Sequence, residues 1–353
     1  MLTYLILIFA ALFLCKNIDK RIVLFFVFLL LLNAYMSESV IDLDIYKSRF
    51  DYADLYKTMT EPLFSLYVLS FKNNGFSFND FRLSFLIFYF INLYIIIQKF
   101  KGRLSFVLGA FAIVLYCYHV SWIRLSTAYI FAFWFFYYLV IDNYKKAIFF
   151  LVLSILFHAG TFILAIFLVE RFFKKYSELK LFVFSTILSI IFFIFVKGGS
   201  ILGLTTLLIS SSKAETLENT YSLGIINNAV LYRVGVYVII GIFSIYILKN
   251  IYKILLRLSF EFDLKSEVMI SHCIYRYSIV SLSITGLIPF FDDFYRTQLY
   301  MMVLYFISFS FIIYRSGIGH FLKSCIFVYL CAVFYFYIGR IAFNDVFLPL
   351  FNV

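Results

Sequence analysis

Apolar runs of roughly 14 to 23 residues follow one another along the chain, each closed by a short polar cluster, and within a run the apolar positions are continuous rather than alternating. One helix needs about 20 such residues to cross about 30 Å of hydrocarbon, whereas a barrel strand would be polar at every second position. The runs fall at 2–15, 22–35, 82–98, 104–119, 124–141, 147–169, 181–196, 229–248, 269–291, 297–314 and 324–343. This pattern predicts an all-α fold: a polytopic integral membrane helical bundle of about 10–12 transmembrane segments, organised as a single membrane domain over residues 1–353. A shorter run from Pro62 to Phe71 cannot span a bilayer and is expected as an interfacial or re-entrant helix with Pro62 in its first turn.

The polar clusters sort into two sets. Linkers 16–21, 99–103, 142–146, 170–180, 249–268 and 315–323 hold 18 basic against 7 acidic residues, and the positive-inside rule places them in the cytoplasm. In the other linkers, chiefly the long loops 36–61 and 197–228, acidic residues are at least as frequent as basic ones, so these are expected outside. One segment breaks the alternation, because 147–169 joins two basic linkers. Either it is a straight helix beside one mis-signed loop, or it is a re-entrant pair broken at Phe157-His158-Ala159-Gly160, which would set His158 at a cavity.

Composition agrees with the pattern: 64% of the 353 residues are apolar, 14% are charged, and mean hydropathy is +0.98, more apolar surface than a soluble core can hide. The inner linkers account for the whole net charge of +11, which argues against nucleic acid as a partner. Tyr residues such as Tyr116, Tyr118, Tyr137 and Tyr138 lie near segment ends, where an amphipathic ring suits the interface. The five cysteines lie in apolar runs without metal-ligand spacing, so no metal and no disulfide is assigned. The first segment has neither a basic leader nor a small-residue cleavage site and is expected to be retained.

Polar groups at membrane depth are costly, which makes them the first candidates for function. Arg124, Arg233, Arg276, Arg296 and Arg340 lie in or at the ends of segments at positions read as the outer leaflet. Each taken singly suits a snorkelling anchor; together their forked guanidiniums suit a phosphate or pyrophosphate head group. Asp44, Glu61, Asp292 and Asp293 lie on the same side, as general bases, as partners for those arginines, or simply as solvated charges. Tyr46 and its aromatic neighbours would offer faces to sugar rings, although a Tyr-rich interface has the same composition. His158 stands alone in an apolar run, so it should be paired or functional, while His119 is expected at the interface.

The order Asp44-x-Tyr46, Glu61-Pro62-Leu63-Phe64, Ile123-Arg124-Leu125-Ser126-Thr127-Ala128, a basic turn and Leu156-Phe157-His158-Ala159 resembles the EpsG-like and Wzy-type bacterial polysaccharide (O-antigen) polymerases, well over about 40–170 and loosely elsewhere. Leu125 stands where many members have Gln, and Asn344 with Pro349-Leu350-Phe351 matches the family's C-terminal element only in part. The resemblance implies a membrane glycosyltransferase that joins repeat units carried on undecaprenyl pyrophosphate, with its active site on the outer face of the bacterial inner membrane. It implies no cofactor. Its partners would be the lipid-linked oligosaccharide, the bilayer and assembly proteins such as a chain-length regulator and a flippase. On that reading Arg124, Arg276 and Arg296 bind pyrophosphate, His158 and Glu61 handle protons or orient the acceptor, and Asp44 with Tyr46 shapes the sugar cleft. Arg233 and Asp292 would join the substrate-binding set. The alternatives are another lipid-phosphate-sugar glycosyltransferase or ligase, and a transporter of lipid-linked oligosaccharide.

Overall fold

Continuous apolar runs give continuous helices. The computed structural model describes residues 2–36, 43–52, 61–197, 228–285, 296–315 and 318–339, and among them the chain is all-helical. In order come α1 (Leu2–Cys15), α2 (Lys20–Met36), α3 (Leu43–Asp51), α4 (Pro62–Asn73), α5 (Phe78–Lys99), α6 (Leu104–Val114), α7 (Tyr116–Ser121), α8 (Ile123–Val140) and α9 (Tyr144–Phe157). A 3-10 helix (Ala159–Val169) follows, then α10 (Glu170–Phe173), α11 (Glu178–Lys197), α12 (Asn228–Leu258), α13 (Lys265–Thr285), α14 (Arg296–Ile313), α15 (His320–Val333) and a π turn (Phe334–Gly339).

Three of the described helices, Phe78–Lys99, Ile123–Val140 and Gly235–Leu258, are long and apolar enough to cross a membrane, and four more apolar helices are shorter. The outer surface stays apolar where helices face outward, as at Ile8, Phe28, Ile91, Phe149 and Ile239, which suits lipid contact. In the centre, every residue of α14 from Leu299 to Ile313 is buried, as expected of a helix apolar on all sides. Gly109 lets α6 cross close to α1: a Cβ there would lie 2.9 Å from the carbonyl oxygen of Ala10 and 2.9 Å from Cβ of Phe13.

The run 104–119, expected as one segment, breaks at Leu115 into α6 and α7. His119 in α7 is not interfacial: it is 3% exposed and ringed by Tyr89, Phe111 and Tyr129 at centroid distances of 5.1, 5.4 and 4.6 Å.

Residues 147–169 resolve as the re-entrant alternative. Helix α9 ends at Phe157, His158 is extended (φ −154°, ψ 110°), and the 3-10 helix packs back along α9. Fourteen residues of α-helix rise about 21 Å and eleven residues of 3-10 helix about 22 Å, so the two arms match and the chain returns to the level it left. At that base the guanidinium of Arg171 lies 4.1 Å from the centre of the Tyr144 ring, and Lys174 pairs with Asp142. The hairpin therefore has its basic flanks together at one end and His158 at its tip.

Candidate active site

The tip is aimed by its packing on α8. The turn Ile141-Asp142-Asn143 reverses the chain, Asp142 taking a left-handed φ of 59°, and the Asn143 side chain accepts from the Lys146 amide to start α9. Phe150 then stacks on Trp134 and Tyr138, and Phe157 on Phe131. The Ser154 hydroxyl donates to the Ala128 carbonyl at 2.9 Å, which fixes the register of the two antiparallel helices. One turn further along each helix, Arg124 comes opposite His158.

Glu61 completes the site from a third element. It is the N-cap of α4, with Pro62 at the first helical position, but its carboxylate makes no cap hydrogen bond. Instead Oε2 accepts from Nη1 of Arg124 at 2.5 Å and Oε1 pairs with Nδ1 of His158 at 2.8 Å. Side-chain exposures of 10%, 16% and 9% for Glu61, Arg124 and His158 make this a nearly dry cluster. A carboxylate accepts only, so the proton shared with His158 sits on Nδ1.

The guanidinium is not exhausted by this pair. Nε of Arg124 is buried without a hydrogen-bond partner, and α8 begins beside it with no side-chain cap on its first amides. A buried unsatisfied donor next to a helix N-terminus suits an anionic oxygen.

The other residues singled out in the sequence are placed as follows. Tyr46 is buried and its ring meets Phe64 edge-on at 6.2 Å, one turn into α4 from Glu61. Asp44 is exposed on α3. Arg276 does not join the cluster. Its Nε donates to Glu170 at 2.8 Å, and its Nη1 and Nη2 donate to the carbonyls of Tyr176 and Phe173 at 3.4 and 2.5 Å, so it lies at the base of the hairpin. The 3-10 helix separates that base from His158, and the Arg276 donors are committed to protein acceptors rather than open to an outer phosphate. Arg296 opens α14 one turn before Tyr300, whose ring stacks on Tyr129 of α8 at 3.7 Å, so α14 and α8 start at similar levels. Arg233 lies in the second turn of α12. Asp292 and the C-terminal Asn344 and Pro349 lie outside the described residues, as does most of both long loops.

Arg82 is a buried cation that the sequence pattern alone does not mark. It is 4% exposed at the head of α5 and donates to the carbonyl of Ala34 near the end of α2. Its signal was simply an arginine opening an apolar run.

These features define a polytopic helical membrane protein with an acid–base cluster buried at the tip of a re-entrant hairpin. The chain belongs to the EpsG family, whose model matches residues 19–352. That membership makes it a multi-pass membrane protein of the polysaccharide glycosyltransferase and polymerase type in general. No curated protein and no solved structure matches it.

Proposed function

We propose that the chain is a repeat-unit polymerase: it transfers a glycan chain from a polyprenyl pyrophosphate, undecaprenyl in bacteria, to a sugar hydroxyl of another lipid-linked repeat unit. The observation that carries this reading is the Glu61 carboxylate bridging Arg124 and His158. Nε2 of His158 takes the acceptor hydroxyl proton as the oxygen bonds to the anomeric carbon. The bond from that carbon to the pyrophosphate oxygen breaks, and the leaving group carries away the electron pair. Arg124, beside the start of α8, meets the charge that develops on that leaving group. Glu61 holds the imidazole in the tautomer the step requires and keeps Arg124 in place. Tyr46 supports Glu61 through Phe64, and Arg296 remains a pyrophosphate contact proposed from sequence alone. Asp44, exposed on α3, enters as a contact for the glycan. Arg233 and Asp292 remain contacts proposed from sequence alone. With the basic linkers inside, this site opens to the exterior and the substrate's lipid arrives through the bilayer.

The test uses purified protein in proteoliposomes with synthetic polyprenyl-pyrophosphate repeat units, reading chain length on a gel. Arg124→Ala and His158→Ala should leave single repeat units. Wild-type product lengths from both variants would overturn the site, and movement of substrate across the membrane without linkage formation would overturn the enzyme reading in favour of transport.

A further inference from the structure

We infer that Gly160 and Thr161 are positioning residues that fix the His158 imidazole. This inference rests on the reading of His158 as the proton acceptor. Both residues follow the break in the hairpin, where the backbone must leave α9 and begin the 3-10 helix.

Thr161 holds the backbone. The carbonyl of His158 accepts two hydrogen bonds from it, one from the amide at 3.0 Å and one from Oγ1 at 2.8 Å. The His158 amide in turn donates to the Ser154 carbonyl at 2.9 Å, so both peptide groups of the extended residue are tied. Gly160 holds the ring. A Cβ at 160 would lie 3.0 Å from Nε2, 3.5 Å from Cδ2 and 3.7 Å from Cε1, so the imidazole edge occupies the space that any side chain at 160 would need. The ring cannot retreat freely, because Nδ1 is held at 2.8 Å by Glu61, and Glu61 is held at 2.5 Å by Arg124. A methyl group there must move Nε2 by a few tenths of an ångström or lengthen the Glu61 bond. Either change acts on the proton-transfer step and not on the lipid-pyrophosphate site.

The experiment measures kcat and KM for linkage formation in proteoliposomes for Gly160→Ala, Thr161→Val and Thr161→Ser, together with each unfolding midpoint. Gly160→Ala and Thr161→Val should each lose about tenfold or more in kcat, with KM for the lipid-linked donor within about twofold, since small misplacements of a reacting group are costly. Thr161→Ser keeps the hydroxyl and should stay within about threefold of wild type. Wild-type kcat for Gly160→Ala, or equal losses for Val and Ser at 161, would overturn the inference. If Gly160→Ala also lowers the unfolding midpoint, the Val/Ser comparison at 161 decides. Failure of the underlying reading looks different: wild-type kcat for His158→Ala would remove the role that these two residues serve.

Discussion

Exchanging the Glu61 carboxylate for an amide or a methyl separates its electrostatic role from its role in setting the His158 tautomer. In Glu61→Ala the guanidinium of Arg124, only 16% exposed, loses its counter-ion, and stability should fall by about 3–5 kcal/mol. Glu61→Gln keeps the shape. Arginine can only donate, so the amide oxygen stays with Nη1 of Arg124 and the amide NH2 turns to Nδ1 of His158. That NH2 must donate, which moves the imidazole proton from Nδ1 to Nε2 and turns the catalytic nitrogen from acceptor into donor. Stability should fall by only about 1–3 kcal/mol, because each hydrogen bond is replaced by a weaker neutral one. Turnover, however, should fall on the order of 10²–10⁴-fold, the range that a general base contributes and a wrong tautomer removes. Detergent-titrated unfolding reads the first quantity and linkage formation in proteoliposomes the second. Equal stability losses for Ala and Gln would refute the ion-pair argument. Normal turnover in Glu61→Gln would refute the tautomer argument.

Three further outcomes follow from other parts of the bundle. Gly109→Ala places a methyl 2.9 Å from the Ala10 carbonyl and should cost about 1–3 kcal/mol by wedging α1 from α6, leaving KM unchanged; an unfolding midpoint at the wild-type value would contradict the close crossing. Arg276→Met leaves Glu170, 5% exposed, without its cation and should cost about 3–5 kcal/mol, while adding Glu170→Leu should restore much of the loss in a double-mutant cycle; additive losses would contradict the pairing. Burial alone would raise the Asp142 carboxyl, but hydrogen bonds from Lys174 and Tyr144 and the charges of Lys174 and Arg171 hold it below its ordinary 3.8. Burial alone would lower the Lys174 amine, which Asp142 and Tyr144 hold above its ordinary 10.5. This tie is therefore complete between those two values. It is lost as pH falls below 3.8 through the lowered carboxyl value, and again as pH rises above 10.5 through the raised amine value. The stability difference between wild type and Asp142→Asn should be a few tenths of a kcal/mol, flat across neutral pH and smaller in high salt; a maximum below pH 3.8 would reverse the sign.

Helices were legible because a long apolar run in lipid has one way to satisfy its backbone. The runs 2–15, 124–141 and 297–314 differ from α1, α8 and α14 by at most one residue at either end. Pro62 opens α4 as its fixed φ suggests. The break inside 104–119 was not legible, since Tyr116-Cys117-Tyr118 carries no Gly or Pro to mark it. For 147–169 the charge count posed the question, and the matched arms with the Arg171–Tyr144 contact answer it. Glu61, Arg124 and His158 each stood out as polar groups beside or within apolar runs, but their meeting depends on α4 packing against α9, a long-range choice that no local pattern encodes. Arg276 was read at the wrong level for the same reason: its partner Glu170 looked like one more linker charge and is in fact buried. Ser154, a small residue in an apolar stretch, gave no sign of the register it sets.

The matched arms of the hairpin between Tyr144 and Val169 have a consequence for how this protein could be remodelled. Because the excursion begins and ends on one side of the bilayer, it is topologically silent: it delivers a histidine to depth without changing the sidedness of anything downstream. Its length can therefore be tuned by equal additions to both arms. The reach of the imidazole into the membrane is a variable that can drift independently of the order in which the remaining helices insert.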